Sequence, residues 1–285
     1  MNDVIAYQGE PGAFSHQSCQ AVYPAWEPLP CPTFEDAFAA VTEGRAALAM
    51  IPIENSIAGR VADIHALIPK AGLHIVGEFF LPVHFQLMGV RGATVEQLRS
   101  VHSHVHALGQ CRKLIRRLGL KAQVAGDTAG SAREVAGWGD PSRGSLAPRL
   151  AAAIYGLDIL AEDVEDEDHN TTRFVVLSKT AADAPAGTGP VVTSFVFRVR
   201  NLPAALFKAL GGFATNGINM TRLESYMVEG EFTATQFLAD IEGHPDDPAV
   251  RRALDELQYF SREFRVLGTY PAHPFRMESA ARQDG

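Results

Sequence analysis

Val4-Ile5-Ala6-Tyr7-Gln8-Gly9-Glu10-Pro11-Gly12-Ala13-Phe14-Ser15-His16 decides the fold class. Four apolar residues read as a buried strand, two glycines permit a turn, and an amphipathic helix follows to about Val22. A strand that feeds straight into a helix is the repeating step of α/β proteins, whose helices cover mostly parallel sheets. Gly9 and Gly12 let backbone amides approach a ligand, and Ser15 falls near a helix N-terminus, where anions are favoured. Taken alone, such a turn is more often structural than functional.

The alternation continues for about 180 residues. Thr33 caps a helix carrying Phe34, Ala37, Phe38 and Val41 on one face. Ala46 to Ile53 reads as a strand, and Ser56 as the start of a helix with Val61, Ile64, Leu67 and Ile68. Leu73 to Phe80 and His84 to Val90 read as strands around Pro82. Further on, Ser100–Ser103, Ala122–Ala125 and Ser145–Ala147 are expected strands; Val95–Leu98, Ala107–Leu118 and Ala129–Trp138 are expected helices. The change of rhythm near 80–85 suits two lobes, with ligands at strand carboxyl ends or in the cleft between lobes.

Ala181 to Pro190 is rich in small residues, Gly and Pro and reads as a linker. Beyond it the pattern is β-α-β-β-α-β: a strand at Val191–Val199, a helix from Pro203 to about Asn216, and Gly217 as its left-handed terminal residue. A hairpin through Glu229-Gly230, a helix from Pro248 to about Phe260 and a strand at Phe264–Tyr270 complete a ferredoxin-like unit. The domain reading is 1–180 for a two-lobed region that returns to its first lobe near 170, 181–190 for the linker, 191–275 for the second domain, and 276–285 for a flexible tail.

Composition narrows the function classes. The chain has 285 residues, 46% hydrophobic and 20% charged, ordinary for a globular protein with sizeable cores. The net charge of −8 disfavours nucleic acid. No apolar run reaches the roughly 18 residues of a membrane span, and Met1 to Glu10 lacks the pattern of an export signal. Cys19, Cys31 and Cys111 read as free thiols in a reducing cytoplasm.

Three segments concentrate polar groups at strand ends. The first is the glycine turn quoted above. The second is Ile53-Glu54-Asn55-Ser56-Ile57-Ala58-Gly59-Arg60, where Ser56 or Asn55 would cap a helix, or aim with its backbone amides at a carboxylate. The third is Asn170-Thr171-Thr172-Arg173-Phe174 before the apolar run Val175-Val176-Leu177. A guanidinium there can grip a carboxylate through two hydrogen bonds, and Thr172 offers a hydroxyl beside it.

Together, Tyr7-x-Gly-x-x-Gly-x-Phe-Ser-His, Pro52-Ile-Glu-Asn-Ser-x-x-Gly59 and Asn170-x-Thr-Arg-Phe174 resemble the signatures of the prephenate dehydratase family. Val101-His-Ser-His104, Ala107-Leu108, Gln110-Cys111 and Asp127-Thr-Ala-Gly-Ser-Ala132 extend the resemblance, as does Ala152-Ala153 through Leu160-Ala161-Glu162. The C-terminal unit, with Asn216-Gly-Ile-Asn-Met-Thr221 and Leu223-Glu-Ser225, resembles an ACT domain. The resemblance implies a periplasmic-binding-protein-like catalytic region with its site in the cleft. It implies conversion of prephenate to phenylpyruvate with loss of water and CO2, without metal or cofactor. Carried onto this sequence, it implies catalytic roles for Thr172, Arg173, Ser56 and Asn55. Substrate contacts would come from Gly12, Phe14, Ser15, Glu54, Phe174, Asn170 and His104. An L-phenylalanine site would draw on Asn201, Ala205, Leu206, Asn216, Ile218, Asn219, Glu224 and Ser225, in a cytoplasmic homodimer or tetramer. Arogenate, carrying an ammonium in place of the keto group, is the alternative substrate; a non-catalytic amino-acid sensor is the alternative class.

Several positions depart from the family. Val105-His106 replace Pro-Gln, creating His102-x-His104-x-His106, three imidazoles that a strand would align as for zinc; no fourth ligand stands nearby, and the reading is of no metal. Tyr226-Met227 replace Arg-Pro, and Ala204-Ala205-Leu206 replace Gly-Ala-Leu, which bears on phenylalanine sensing. The run Glu162-Asp163-Val164-Glu165-Asp166-Glu167-Asp168 reads as a solvated acidic loop, and Arg112-Lys113 with Arg116-Arg117 as an exposed helix face.

Overall fold

The computed structural model describes residues 3–61, 64–200, 202–226 and 236–278. It divides into two units, Met1–Val61 with Phe79–Phe174, and Ala62–Glu78 with Val175–Gly285. The chain opens with β1 (Val4–Gln8), α1 (Phe14–Val22), β2 (Glu27–Cys31), α2 (Phe34–Thr42), β3 (Leu48–Asn55), β4 (Gly59–Arg60), α3 (Ile64–Leu67) and β5 (His74–Pro82). It continues through β6 (Gln86–Gly89), β7 (Ser100–Ser103), α4 (Val105–Gln110), α5 (Arg112–Arg117), β8 (Lys121–Val124), α6 (Thr128–Trp138), β9 (Arg143–Ala147), α7 (Arg149–Tyr155), β10 (Asp158–Ala161) and β11 (Thr171–Ser178).

These strands make two sheets. The first has the order β2-β1-β3-β11-β5, with β4 added to β3. β1 runs parallel to β2 and β3, and Ile5, Ala6 and Tyr7 are buried because both faces of such a sheet are covered. The second has the order β10-β6-β9-β7-β8. Here β7 is parallel to β8 and β9, while β6 is antiparallel to both its neighbours. The expected mostly parallel pairing therefore fails at β6, whose partners β9 and β10 both run against it. Leu108, Leu114 and Leu146 belong to one core of this sheet, and Met88, Ala132 and Ala151 to another.

Local misreadings have specific causes. β2 carries Pro28 and Pro30, which cannot donate to a ladder; its edge position makes both tolerable. The expected single helix at 107–118 breaks at buried Cys111, because the Asp166 carboxylate accepts the N–H groups of Arg112 and Lys113 and starts a new helix there. Ser56 opens no helix. The chain reverses after β3, pairing Asn55 with Gly59, and the helix expected there shrinks to α3.

The second unit contains β12 (Val191–Val199), α8 (Ala205–Thr215), β13 (Met220–Tyr226), β14 (Gln236–Glu242), α9 (Pro248–Phe260) and β15 (Ser261–Pro271). Their sheet order is β13-β14-β12-β15. Phe195, Phe197 and Val199 alternate along β12 and pack with Phe213 of α8 and Leu257 of α9 in one core. Gly217 is left-handed at φ 67°, as read. Ala204 is also left-handed, at φ 58°. A Cβ in that conformation costs about 1 kcal/mol. Ala204→Gly is thus expected to raise the urea midpoint modestly, by at most about 1 kcal/mol in stability; a lowered midpoint would contradict the strain.

The residues expected to hold L-phenylalanine across a subunit interface fall at two ends of this unit's sheet. β12 and β13 are each antiparallel to β14 and so run in the same direction. Ala205 and Leu206 follow the carboxyl end of β12, and Glu224 and Ser225 lie near that end of β13. Asn216, Ile218 and Asn219 stand at the opposite edge, where Asn219 Nδ2 donates to Glu242, because α8 carries the chain back along the full length of the strand. Asn216 is itself engaged, donating to Gly212 O and accepting from Arg252 Nε. Within one chain these residues do not make one site; Asn201, Met227 and the Glu229-Gly230 turn lie outside the described residues. Arg276, read as the first residue of a tail, is instead held by Glu78 at 2.6 and 2.8 Å.

Candidate active site

Asn55, the last residue of β3, organises the polar cluster. Its Oδ1 accepts the N–H groups of Ile57 at 3.0 Å and Ala58 at 2.8 Å, which turns the chain back toward β4. With its oxygen so used, its amide nitrogen must face the other way. Nδ2 donates to Thr172 Oγ1 at 2.9 Å and to Asn170 Oδ1 at 2.7 Å, with Thr171 O at 3.3 Å. Buried Asn170 in turn donates to Gln110 Oε1 at 2.7 Å. Donor directions along this chain are therefore set. Thr172 Oγ1 accepts, so its own proton is left for another acceptor.

Ser56 closes the same junction. Its hydroxyl donates to His169 O and accepts the N–H of Thr171, both at 2.9 Å. Its backbone N–H reaches Thr171 O at 2.9 Å. The sequence reading placed it at a helix end facing a carboxylate; here its hydroxyl joins two strand ends. Arg173 is 2% exposed and donates to Glu54 Oε1 at 2.8 Å, with its guanidinium 6.0 Å from the Phe80 ring centre. Its carboxylate partner is thus a residue of the protein. Phe174 is core.

At the turn after β1, Gly12 has φ 94°, and a Cβ there would stand 2.8 Å from Ala151 Cα. Only glycine permits this approach. The Gly12 N–H donates to His16 Nδ1 at 3.0 Å. Phe14 meets Phe85 edge-on at 5.3 Å, and Ser15 is buried in the first turn of α1, whose N-cap Ala13 supplies no side-chain acceptor. Burial holds His16 below the usual imidazole range. The unfolded chain takes up this proton near pH 6.5, whereas the folded chain resists it, so stability is complete above that pH and falls below it. Urea midpoints at pH 8 and pH 5 are expected to differ less in His16→Gln than in the parent; an equal difference would remove His16 from the account.

A sequence model described as prephenate dehydratase matches residues 5–182. The chain belongs to the prephenate dehydratase family. A protein of Komagataeibacter europaeus named bifunctional N-acyl-homoserine lactone acylase/prephenate dehydratase is 53% identical over 96% of this chain and 97% of its own. Arogenate dehydratase/prephenate dehydratase 2 of Arabidopsis thaliana is 37% identical over 94% of this chain and 72% of its own. The crystal structure of an Arthrobacter aurescens prephenate dehydratase in complex with L-Phe superposes with a TM-score of 0.85, at 30% identity, covering 98% of this chain and 97% of that one.

Against this family background, Gln110 is the residue the sequence reading left without a role. It was noted only as part of a motif, because its bond to Asn170 spans 60 positions. The reading's histidine triplet does not share a face. β7 ends at Ser103, His102 lies against Trp138, and His104 caps α4 by accepting from His106 N–H. His104 stands at the start of the helix that ends in Gln110, with its ring 5.1 Å from that of His106.

Proposed function

We propose that the chain catalyses the prephenate dehydratase reaction, a carbon–oxygen lyase step of L-phenylalanine synthesis. The ring carboxylate leaves as CO2, its bonding electrons enter the ring, and the ring hydroxyl departs and takes up a proton as water. Aromatisation supplies much of the driving force, so the protein chiefly orients the dianion and assists departure of hydroxide. The observation that carries this reading is the direction of the Asn55–Thr172 hydrogen bond, which leaves the Thr172 proton to point at a leaving oxygen. A threonine hydroxyl is too weak an acid to supply the proton outright; Thr172 donates a hydrogen bond and relays. Gln110 and Asn170 hold Asn55, Ser56 holds Thr171, and the Glu54–Arg173 pair anchors the start of β11. The first turn of α1, whose N-cap Ala13 supplies no side-chain acceptor, suits a substrate carboxylate. In this reading the two sheets of the first unit are periplasmic-binding-protein-like lobes with substrate between them.

The βαββαβ unit is read as an ACT domain sensing L-phenylalanine in a homodimer or tetramer; the L-Phe complex of the Arthrobacter relative supports it. Pairing of two chains would supply the second half of the regulatory set that one chain keeps apart. The Arabidopsis relative's double name makes arogenate the competing substrate. The Komagataeibacter protein carries both its named activities on a chain matched over 97% of its length, so N-acyl-homoserine lactone hydrolysis is a second reading that needs no added module.

Phenylpyruvate formation from prephenate, measured with and without L-phenylalanine, tests the main reading; arogenate and an N-acyl-homoserine lactone run alongside. Rapid turnover of prephenate, suppressed by phenylalanine, is the expected result. Stoichiometric binding of prephenate without turnover of any of the three would make the protein a sensor.

A further inference from the structure

The acidic run after β10 is exposed at Glu162, Asp163, Glu167 and Asp168, as its composition suggested, yet several of its carboxylates have fixed partners. Asp166 caps α5, Glu162 pairs with Arg149, and two further carboxylates meet a histidine from another segment. The chain leaves the first sheet between β5 and β6 and returns to it between β10 and β11. His84 lies on the outgoing segment, Asp163 and Glu165 on the returning one. Their ligand atoms all lie within 4.8 Å of one another.

The scaffold has already positioned both carboxylates. Phe85 N–H donates to Glu165 Oε2 at 2.9 Å, and Gln86 Nε2 donates to Asp163 Oδ1 at 2.8 Å. Gln86 is buried, and its oxygen accepts the Asp163 N–H at 3.3 Å. The Glu165 side chain is 6% exposed, whereas the His84 ring is half exposed and able to turn. One imidazole nitrogen with two carboxylate oxygens is a donor set for borderline divalent ions, and it leaves a position for water. His84 Nδ1 and Glu165 Oε1 stand 2.6 Å apart. Tetrahedral zinc separates its ligand atoms by about 3.3 Å, so this pair opens slightly while exposed Asp163 closes in.

We propose that His84, Asp163 and Glu165 form a binding site for a zinc-class divalent cation. The ion would join the outgoing and returning segments. Because Val83 N–H donates to Asn170 O at 2.8 Å, it would also stiffen the segment that supports the Asn170–Asn55–Thr172 chain without touching the reacting groups.

Calorimetric titration of the chelator-treated full chain with zinc chloride tests this. One site of micromolar affinity or tighter is expected. His84→Ala and Asp163→Asn, both at exposed positions, should each weaken binding at least tenfold. His106→Ala should leave it unchanged. Cobalt(II) in the parent protein should give visible absorption bands that zinc abolishes. Absence of binding below millimolar zinc overturns the site, as does affinity that survives both substitutions or is lost with His106→Ala.

Discussion

Thr172→Ala is expected to lower the turnover of prephenate by about 10²-fold or more, with KM changed only a few-fold, because the lost hydrogen bond forms chiefly as the hydroxyl departs. Thr172→Ser keeps the donor and should retain much of the rate. Asn55→Asp is the sharper companion. Its carboxylate is nearly the same shape but cannot donate, so Thr172 would turn its proton toward residue 55 and away from substrate. The 2.9 Å contact would survive while its direction reversed, and turnover should fall almost as far as in Thr172→Ala. Near-normal turnover in Thr172→Ala sinks the assignment. Near-normal turnover in Asn55→Asp would keep Thr172 but discard the orientation argument.

Arg276→Met is expected to cost about 3–5 kcal/mol in the stability of the second unit, the usual penalty for stripping the counter-charge from a buried carboxylate. The Glu78 side chain is 0% exposed, and Arg276 holds both its oxygens. Replacing both residues, as Glu78→Leu with Arg276→Met, should recover most of the loss, since a matched apolar pair carries no desolvated charge. Equilibrium urea unfolding of the three variants decides the matter. A loss below about 1 kcal/mol in Arg276→Met would show that the pair is far better solvated than its burial implies.

Much of this architecture was legible because the relevant signals are local. The strand–turn–helix run from Val4 to His16 reads correctly, since burial of a short apolar strand and the glycine requirement at Gly12 act over a few residues. The periods of β12 and α9 gave their boundaries, because a strand covered on both faces and a strongly amphipathic helix each announce themselves in residue order. Elements that failed were set by distant partners. β2 hid behind its two prolines until an edge position made them harmless. α4 and α5 read as one helix because the carboxylate that splits them arrives from Asp166.

The candidate site divides the same way. The family resemblance groups Asn55, Ser56, Asn170, Thr172 and Arg173, and the fold brings their segments together through hydrogen bonds and an ion pair. Their division of labour was beyond sequence. Arg173 reads as a carboxylate clamp, and only the fold shows Glu54 as one of its partners; Ser56 reads as a helix cap until β4 folds back. Gln110 stays anonymous until it meets Asn170, and Arg276 looks like tail until Glu78 is seen buried beneath it. Sequence alone determined the order of most elements and the turn chemistry, because propensity, periodicity and backbone strain are short-range, while the members of the polar cluster were legible through the family resemblance. Only the tertiary structure decided which group donates to which and which charges are buried, because hydrogen-bond direction and desolvation depend on neighbours brought together from far along the chain.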